Sequence, residues 1–270
     1  EREVGMAEAV APRVFTIAPG APFLPTLVEA LSTGRILPGL SLSDGTLDPL
    51  ALADTTIFLP TRRAARALTT LLAQRCEGRA VLLPRIVPLG DVDDAEIALA
   101  ADLGGMGEGD FTGLPPAIGE TERRLILTRL VLAWAKAVDR ALLRLDDHEP
   151  LLVPASPADA LGLAGDLARL MDALATEGIA WESLHSLVED RYSRYYGITL
   201  DFLKIAAETW PQILADRGAS DPVSRRNAII LADAERLARE RPEAPMIVAG
   251  STGSVPATAH LIAAVSRLPQ

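Results

Sequence analysis

The order of the apolar patterns limits this chain more than any other feature. Val14-Phe15-Thr16-Ile17-Ala18 is a short β-leaning run ended by Pro19-Gly20, and Pro22 to Leu31 follows with helical character. Thr56-Ile57-Phe58-Leu59 is stopped by Pro60, and Arg62 to Arg75 repeats at helical spacing. Val81-Leu82-Leu83 and Ile86-Val87 form a third strand region interrupted by Pro84. Short apolar strands alternating with helices predict a parallel sheet covered on both faces.

Helices then take over. Leu125, Leu127, Leu130 and Leu132 mark a helix from Glu120 to Ala137. Ser156 reads as an N-cap with Pro157 at the first helical position, and Leu161, Ala164, Leu167, Leu170, Met171 and Leu174 draw one apolar stripe until Gly178. A further helix from Leu200 to Leu214 contains Pro211, which predicts a kink or break, and Asp221-Pro222 starts another that runs to about Arg241. Met246 to Ala249 returns to strand character and Val255-Pro256 opens a last helix. One isolated final strand could not bury itself, so a helical insertion within an α/β core is expected: core over 13–112, insertion over 113–241, and core again over 242–270.

Charge sharpens this division. From Thr61 to Arg85 the arginines at 62, 63, 66, 75, 79 and 85 face one acid, Glu77, whereas Ile86 to Glu122 holds nine carboxylates and no Lys or Arg. The glycine-rich run Gly104 to Gly109 has loop composition and marks a boundary. The whole chain of 270 residues carries a net charge of -10, so nucleic-acid contact has to be local. No run is long and apolar enough for a bilayer span, the first residues lack the build of a secretory signal, and the single cysteine, Cys76, supplies neither an internal disulfide nor a thiolate metal site. The expectation is a cytoplasmic chain that does not enter a membrane. Because the first residue is Glu1 and the first methionine Met6, it is also expected to be a piece of a longer protein.

Two turns stand where a nucleotide site would stand, and both lack its chemistry. A phosphate loop needs glycines whose N-H groups face the phosphates, a lysine, and a Ser or Thr for magnesium. Between Ala18 and Thr26 only Gly20 and Thr26 suit that role; three prolines remove donors, and the nearest lysine is Lys136. The second turn, Gly250-Ser251-Thr252-Gly253-Ser254, would need an Asp-Glu pair, yet no carboxylate occurs from Ala249 through Ala264. A nucleotide-binding fold that has lost ATP hydrolysis accounts for both losses. Gly250, Ser251 and Thr252 remain candidates for holding an anion, although a plain strand-to-helix turn is the commoner use of Gly and Ser. No catalytic residue, metal site or cofactor is assigned. Lys136 and Lys204 follow Trp134 and Phe202 by two positions, which excludes the Glu-x-Lys grouping of a restriction-type nuclease.

The strongest positive signal is Leu59-Pro60-Thr61-Arg62-Arg63-Ala64-Ala65-Arg66. On a helix Ala64, Ala65, Leu68, Leu71 and Leu72 share one side, and Arg62, Arg63 and Arg66 the other. Arginines in the first turns oppose the helix dipole, so phosphate oxygens are the expected partner, with Thr61 as N-cap beside them. A solvated arginine face next to the acidic connector is the competing reading.

Together with Leu83-Pro84-Arg85-Ile86, Leu200-Asp201-Phe202-Leu203-Lys204-Ile205 and Ala249-Gly250-Ser251-Thr252-Gly253-Ser254-Val255-Pro256, the segments from Val14 to Leu24 and from Leu59 to Ala65 resemble the AddB family of double-strand break repair proteins, in its alphaproteobacterial form. The resemblance implies a degenerate P-loop core like that of a superfamily 1 helicase, in the amino-terminal part of a helicase-nuclease subunit. It also implies an AddA-like motor subunit and single-stranded or end DNA as partners, with Thr61, Arg62 and Arg63 where such helicases contact single-stranded DNA. The departures at the two turns leave a DNA-guiding and partner-docking role. The alternative is a stand-alone enzyme or binding protein for a phosphorylated small molecule held at Gly250 to Ser254.

Overall fold

The computed structural model describes residues 13–41, 46–76, 82–89, 113–138, 154, 156–187 and 193–269. Most of the acidic connector, together with Arg79, Val81 and His148, lies outside them. The chain is mixed α/β, mostly helical, and divides into two compact units, residues 1–111 with 228–270 and residues 112–227. The helix expected to close the insertion near residue 241 begins in the second unit and ends in the first.

In the first unit, strands β1 (Thr56–Leu59), β2 (Arg85–Pro88) and β3 (Met246–Val248) form a parallel sheet in the order β2-β1-β3. Successive side chains of a strand point to opposite faces, and here both faces are covered. Ile57 and Leu59, with Ile86 and Ile247, pack on helices α1 (Phe23–Ser32) and α3 (Arg62–Arg75) through Leu27, Val28, Leu31, Leu68 and Leu72. The short helix α2 (Pro49–Asp54) joins this cluster through Leu52. Phe58, with Val87 and Val248, packs on the other side against Ile230, Ala234, Leu237 and Leu261. All four β1 residues are buried, which explains why Ile57, Phe58 and Leu59 are consecutively apolar instead of alternating with polar residues.

The expected strand from Val14 to Ala18 does not form. Val14 is 78 % and Phe15 53 % exposed, and only Ile17 reaches the α1–α3 cluster. Strand propensity reports how well a side chain fits a pleated, half-buried surface, and this segment lacks the burial that would make a strand worthwhile. Leu82 and Leu83 are likewise exposed, and β2 starts only at Arg85, after Pro84.

The second unit is helical. Helices α4 (Glu120–Ala137) and α5 (Pro157–Glu177) pack side by side through Leu127 and Val131 on one and Ala160, Ala164, Leu167 and Met171 on the other. Ser156 caps α5 in a reciprocal box: its hydroxyl accepts from the Asp159 N-H at 3.2 Å and Asp159 accepts from the Ser156 N-H at 3.1 Å. Gly178 ends the helix in the left-handed region, at φ 65°. Pro211 does not break the helical path. Helix α6 (Ser193–Lys204) widens into a π turn over Ile205–Thr209 and resumes as α7 (Trp210–Arg217), which accommodates the proline's missing N-H and its ring.

Arg123 lies within this unit at 2 % exposure. It pairs with Asp172 at 2.8 Å and Asp221 at 3.1 Å. Burial alone would lower its pKa, but the Asp172 hydrogen bond and the charges of Asp221 and Asp172 reverse the direction and raise it. Asp221 also accepts from the Trp210 indole at 3.3 Å and from the Val223 N-H at 3.3 Å, capping α8 (Pro222–Glu240). Helix α9 (Pro256–Val265) closes the first unit.

Candidate nucleic-acid interface

Because the three strands are parallel, the chain leaves all of them at one edge. The Ala249 N-H donates to the Phe58 carbonyl at 2.9 Å and the Leu89 N-H to the Leu59 carbonyl at 2.7 Å, so the ladder continues past the strand ends. Phe58 is paired with Val248, so β1 and β3, about 4.8 Å apart, both run out at this edge, toward Pro60 and Gly250. Ligands of open α/β sheets bind outside this carboxyl edge.

Thr61 follows at that edge in extended conformation, and its hydroxyl accepts the Ala64 N-H at 3.1 Å, so the expected cap of α3 is present. Leu68 and Leu72 bury one face of the helix against α1, with Ala64, Ala65 and Leu71 beside them. Arg63 and Arg66 are exposed and Arg62 is half-buried. Positions 62 and 66, and 63 and 66, are neighbours on a helix surface, and the first turn holds no acidic residue. Arg62, Arg63 and Arg66 therefore stand on one face of the helix beside the positive end of its dipole. Like charges so placed cost a few tenths of a kcal/mol per pair, and an anion at the helix start relieves both terms. At the far end Arg75 complements the dipole and donates to the Ser32 hydroxyl at 3.4 Å.

The two turns that sequence reasoning assigned to a nucleotide site do approach one another, through a residue it passed over. Gly250 adopts φ +71°, and a Cβ placed there would stand 3.1 Å from Cε1 and 3.4 Å from Cζ of Phe23, the first residue of α1. The ring thus lies against the backbone where the second turn would receive a phosphate. Gly253, at φ +65°, is approached by the Ile262 side chain in the same way, at 3.2 Å. Ser251 is half-buried, and the exposed Thr252 donates its hydroxyl proton to the Ser254 hydroxyl at 3.3 Å. Gly20, at φ +86°, sits in an exposed turn closed by the Ala21 N-H on the Ala18 carbonyl, with open space where its Cβ would be. Thr26 is half-buried inside α1, its N-H given to the Pro22 carbonyl at 3.0 Å. The sequence signal for Phe23 was an aromatic residue at a helix start, in a chain with 4 % aromatics.

A second charged cluster lies toward the opposite end of the sheet, where β2 begins. Arg236 of α8 pairs with Asp233 at 2.6 Å and Glu240 at 2.9 Å. Burial opposes its charge, but Asp233 and then Glu240 outweigh burial and its pKa is raised. Arg85 is lowered, by burial first, with Asp233 opposing and the Arg236 charge adding to the fall; its Nη2 is buried without a hydrogen-bond partner. These ion pairs run within α8, beside Arg85 at the start of β2, and are remote from the strand edge that carries Thr61. Among the described residues no group of His, Cys, Asp or Glu is placed to hold a metal, and no helix is long and apolar enough to cross a membrane.

No family model matches this chain, and no curated protein or solved structure is significantly similar to it.

Proposed function

We propose that this chain is a DNA-guiding and partner-docking module: the amino-terminal, helicase-like but ATPase-inactive region of an AddB-like subunit that processes DNA double-strand breaks alongside an AddA-like motor. In this reading its α/β unit is a P-loop core that has lost the phosphate loop. The observation that carries the reading is the placement of α3: Thr61, Arg62, Arg63 and Arg66 stand at the carboxyl edge of a parallel sheet, on a capped helix whose first turn has no acid. A strongly acidic chain that keeps a cluster of arginines at that edge is suited to local contact with phosphates and not to diffuse binding.

The inactivity toward ATP is supported by the prolines at 19, 22 and 25, by the missing carboxylates after β3, and by Phe23 lying against Gly250. That ring also weighs against a phosphorylated small molecule at Gly250 to Ser254. The test is fluorescence anisotropy with a labelled single-stranded oligonucleotide across a salt series. Affinity should fall with salt, and R62A/R63A/R66A should weaken binding and reduce the log–log salt slope by about two, from about 0.7 per single-strand phosphate released. Binding that ignores salt, or a triple variant that binds as the wild type does, would refute the reading.

A further inference from the structure

We infer that Phe23 is a stacking platform for a nucleobase of the bound single strand, seated beside the arginine face that holds its phosphates. The inference rests on the DNA-guiding reading above and adds a residue and a ligand group to it. Four of the five phenylalanines lie among the described residues, and they divide sharply. Phe58 and Phe202 are core residues, whereas Phe15 and Phe23 are exposed and bracket the turn from Ala18 to Pro22. Full burial of a phenylalanine stabilises a protein by about 1.5–3 kcal/mol, and Phe15 and Phe23 each forgo part of it. The ring of Phe15 already has a cation, the Arg13 guanidinium 5.8 Å from its centroid.

Phe23 is different. It is 39 % exposed, and its Cε1 edge lies close to Gly250, where an added Cβ would stand 3.1 Å from it and push the ring aside by a few tenths of an ångström. The left-handed conformation and the close ring contact agree on glycine there. An aromatic ring held in this way presents its remaining surface with little orientation left to lose on binding. Gly250 follows β3 and Thr61 follows β1, adjacent parallel strands, so the ring and the start of α3 lie at the same edge of the sheet. An exposed aromatic ring at the sheet edge that also carries the arginine helix suits a nucleotide, which offers a π face and a phosphate, and not a free phosphate, which has no ring to stack.

The experiment compares a thymidine oligonucleotide of about twelve nucleotides with an abasic deoxyribose-phosphate oligomer of the same length, both within the span such proteins cover. The wild-type chain should favour the oligonucleotide carrying bases by about five-fold or more, which corresponds to about 1 kcal/mol. F23L, which keeps an apolar group on Gly250, should bring that ratio close to one while leaving the abasic affinity and the salt slope as they were. F23W should keep the ratio. A wild-type ratio of one, or F23L retaining the preference for bases, overturns the role of Phe23 even if R62A/R63A/R66A loses affinity for both oligomers. Unchanged affinity of the arginine variant instead removes the DNA-guiding reading, and failure of the wild type to bind either oligomer removes both.

Discussion

Replacing Asp221 with alanine tests whether one carboxylate ties the helices of the second unit together. Its two oxygens serve three partners: the buried Arg123 guanidinium at 3.1 Å, the Trp210 indole at 3.3 Å and the Val223 N-H at 3.3 Å. Loss of the helix cap costs about 1 kcal/mol. An indole N-H left buried without an acceptor costs about 1–3 kcal/mol. Arg123 keeps Asp172 at 2.8 Å, so its loss stays below the 3–5 kcal/mol expected when a buried charge is stranded outright. These terms share one site and do not add fully, which places the expected destabilisation at about 4 kcal/mol. The tryptophans at 134, 181 and 210 all lie in this unit, so urea unfolding followed by tryptophan emission reads its stability directly. D221N retains one oxygen and the shape but not the charge, and should cost about half as much. A D221A loss below about 1 kcal/mol, or D221N as damaging as D221A, would show that the network does not hold these helices together.

Most other expected outcomes concern the first unit, which has no tryptophan; far-ultraviolet circular dichroism, which reads both units, is compared with tryptophan emission, which reads only the second. G250A should destabilise it by about 1–3 kcal/mol, because alanine is strained at φ +71° and its methyl would meet Phe23; in an F23A background the second part of that cost should vanish. T61A should cost about 1 kcal/mol through the lost α3 cap and weaken oligonucleotide binding only slightly, measured by thermal melts and anisotropy on the same samples. D233N should cost about 3 kcal/mol, since Arg236 keeps Glu240 but Arg85 loses its nearby counter-charge. The raised pKa values of Arg123 and Arg236 mean that their stabilising contribution is complete below the ordinary arginine range and lost only above it. Melting temperatures should therefore show no step from these groups between about pH 6 and pH 9.

The local part of the fold was legible because its signals are local. Thr61 before an alanine-rich arginine helix, Ser156-Pro157 with Asp159 three residues past the cap, and Gly178 after the last apolar turn are decided by backbone groups a few residues away, and these helix ends fall where expected. The parallel pairing of the runs at 56, 85 and 246 followed from apolar segments too short to be buried any other way. The arginine cluster, too, needed only helical spacing.

The segment from Val14 to Ala18 shows the limit of that reading. Its composition favours a strand as strongly as that of Thr56 to Leu59, yet only the second is buried on both sides. Pro211 announced a disturbance, but whether the helix broke or widened into a π turn depended on how Ile205 and Trp210 packed on either side of it. Phe23 against Gly250, and Asp221 against Arg123, join positions far apart in the chain. The sequence by itself determined the capped helix ends, which runs are apolar enough to pair, and where positive charge gathers, because each is settled by neighbours along the chain; the helix expected from Leu200 to Leu214 has no such cap signal and runs from Ser193 to Arg217. Only the tertiary structure decided which β-leaning run becomes a strand and which ring meets which glycine, because those outcomes depend on burial by residues from other elements, some tens and some about two hundred positions away.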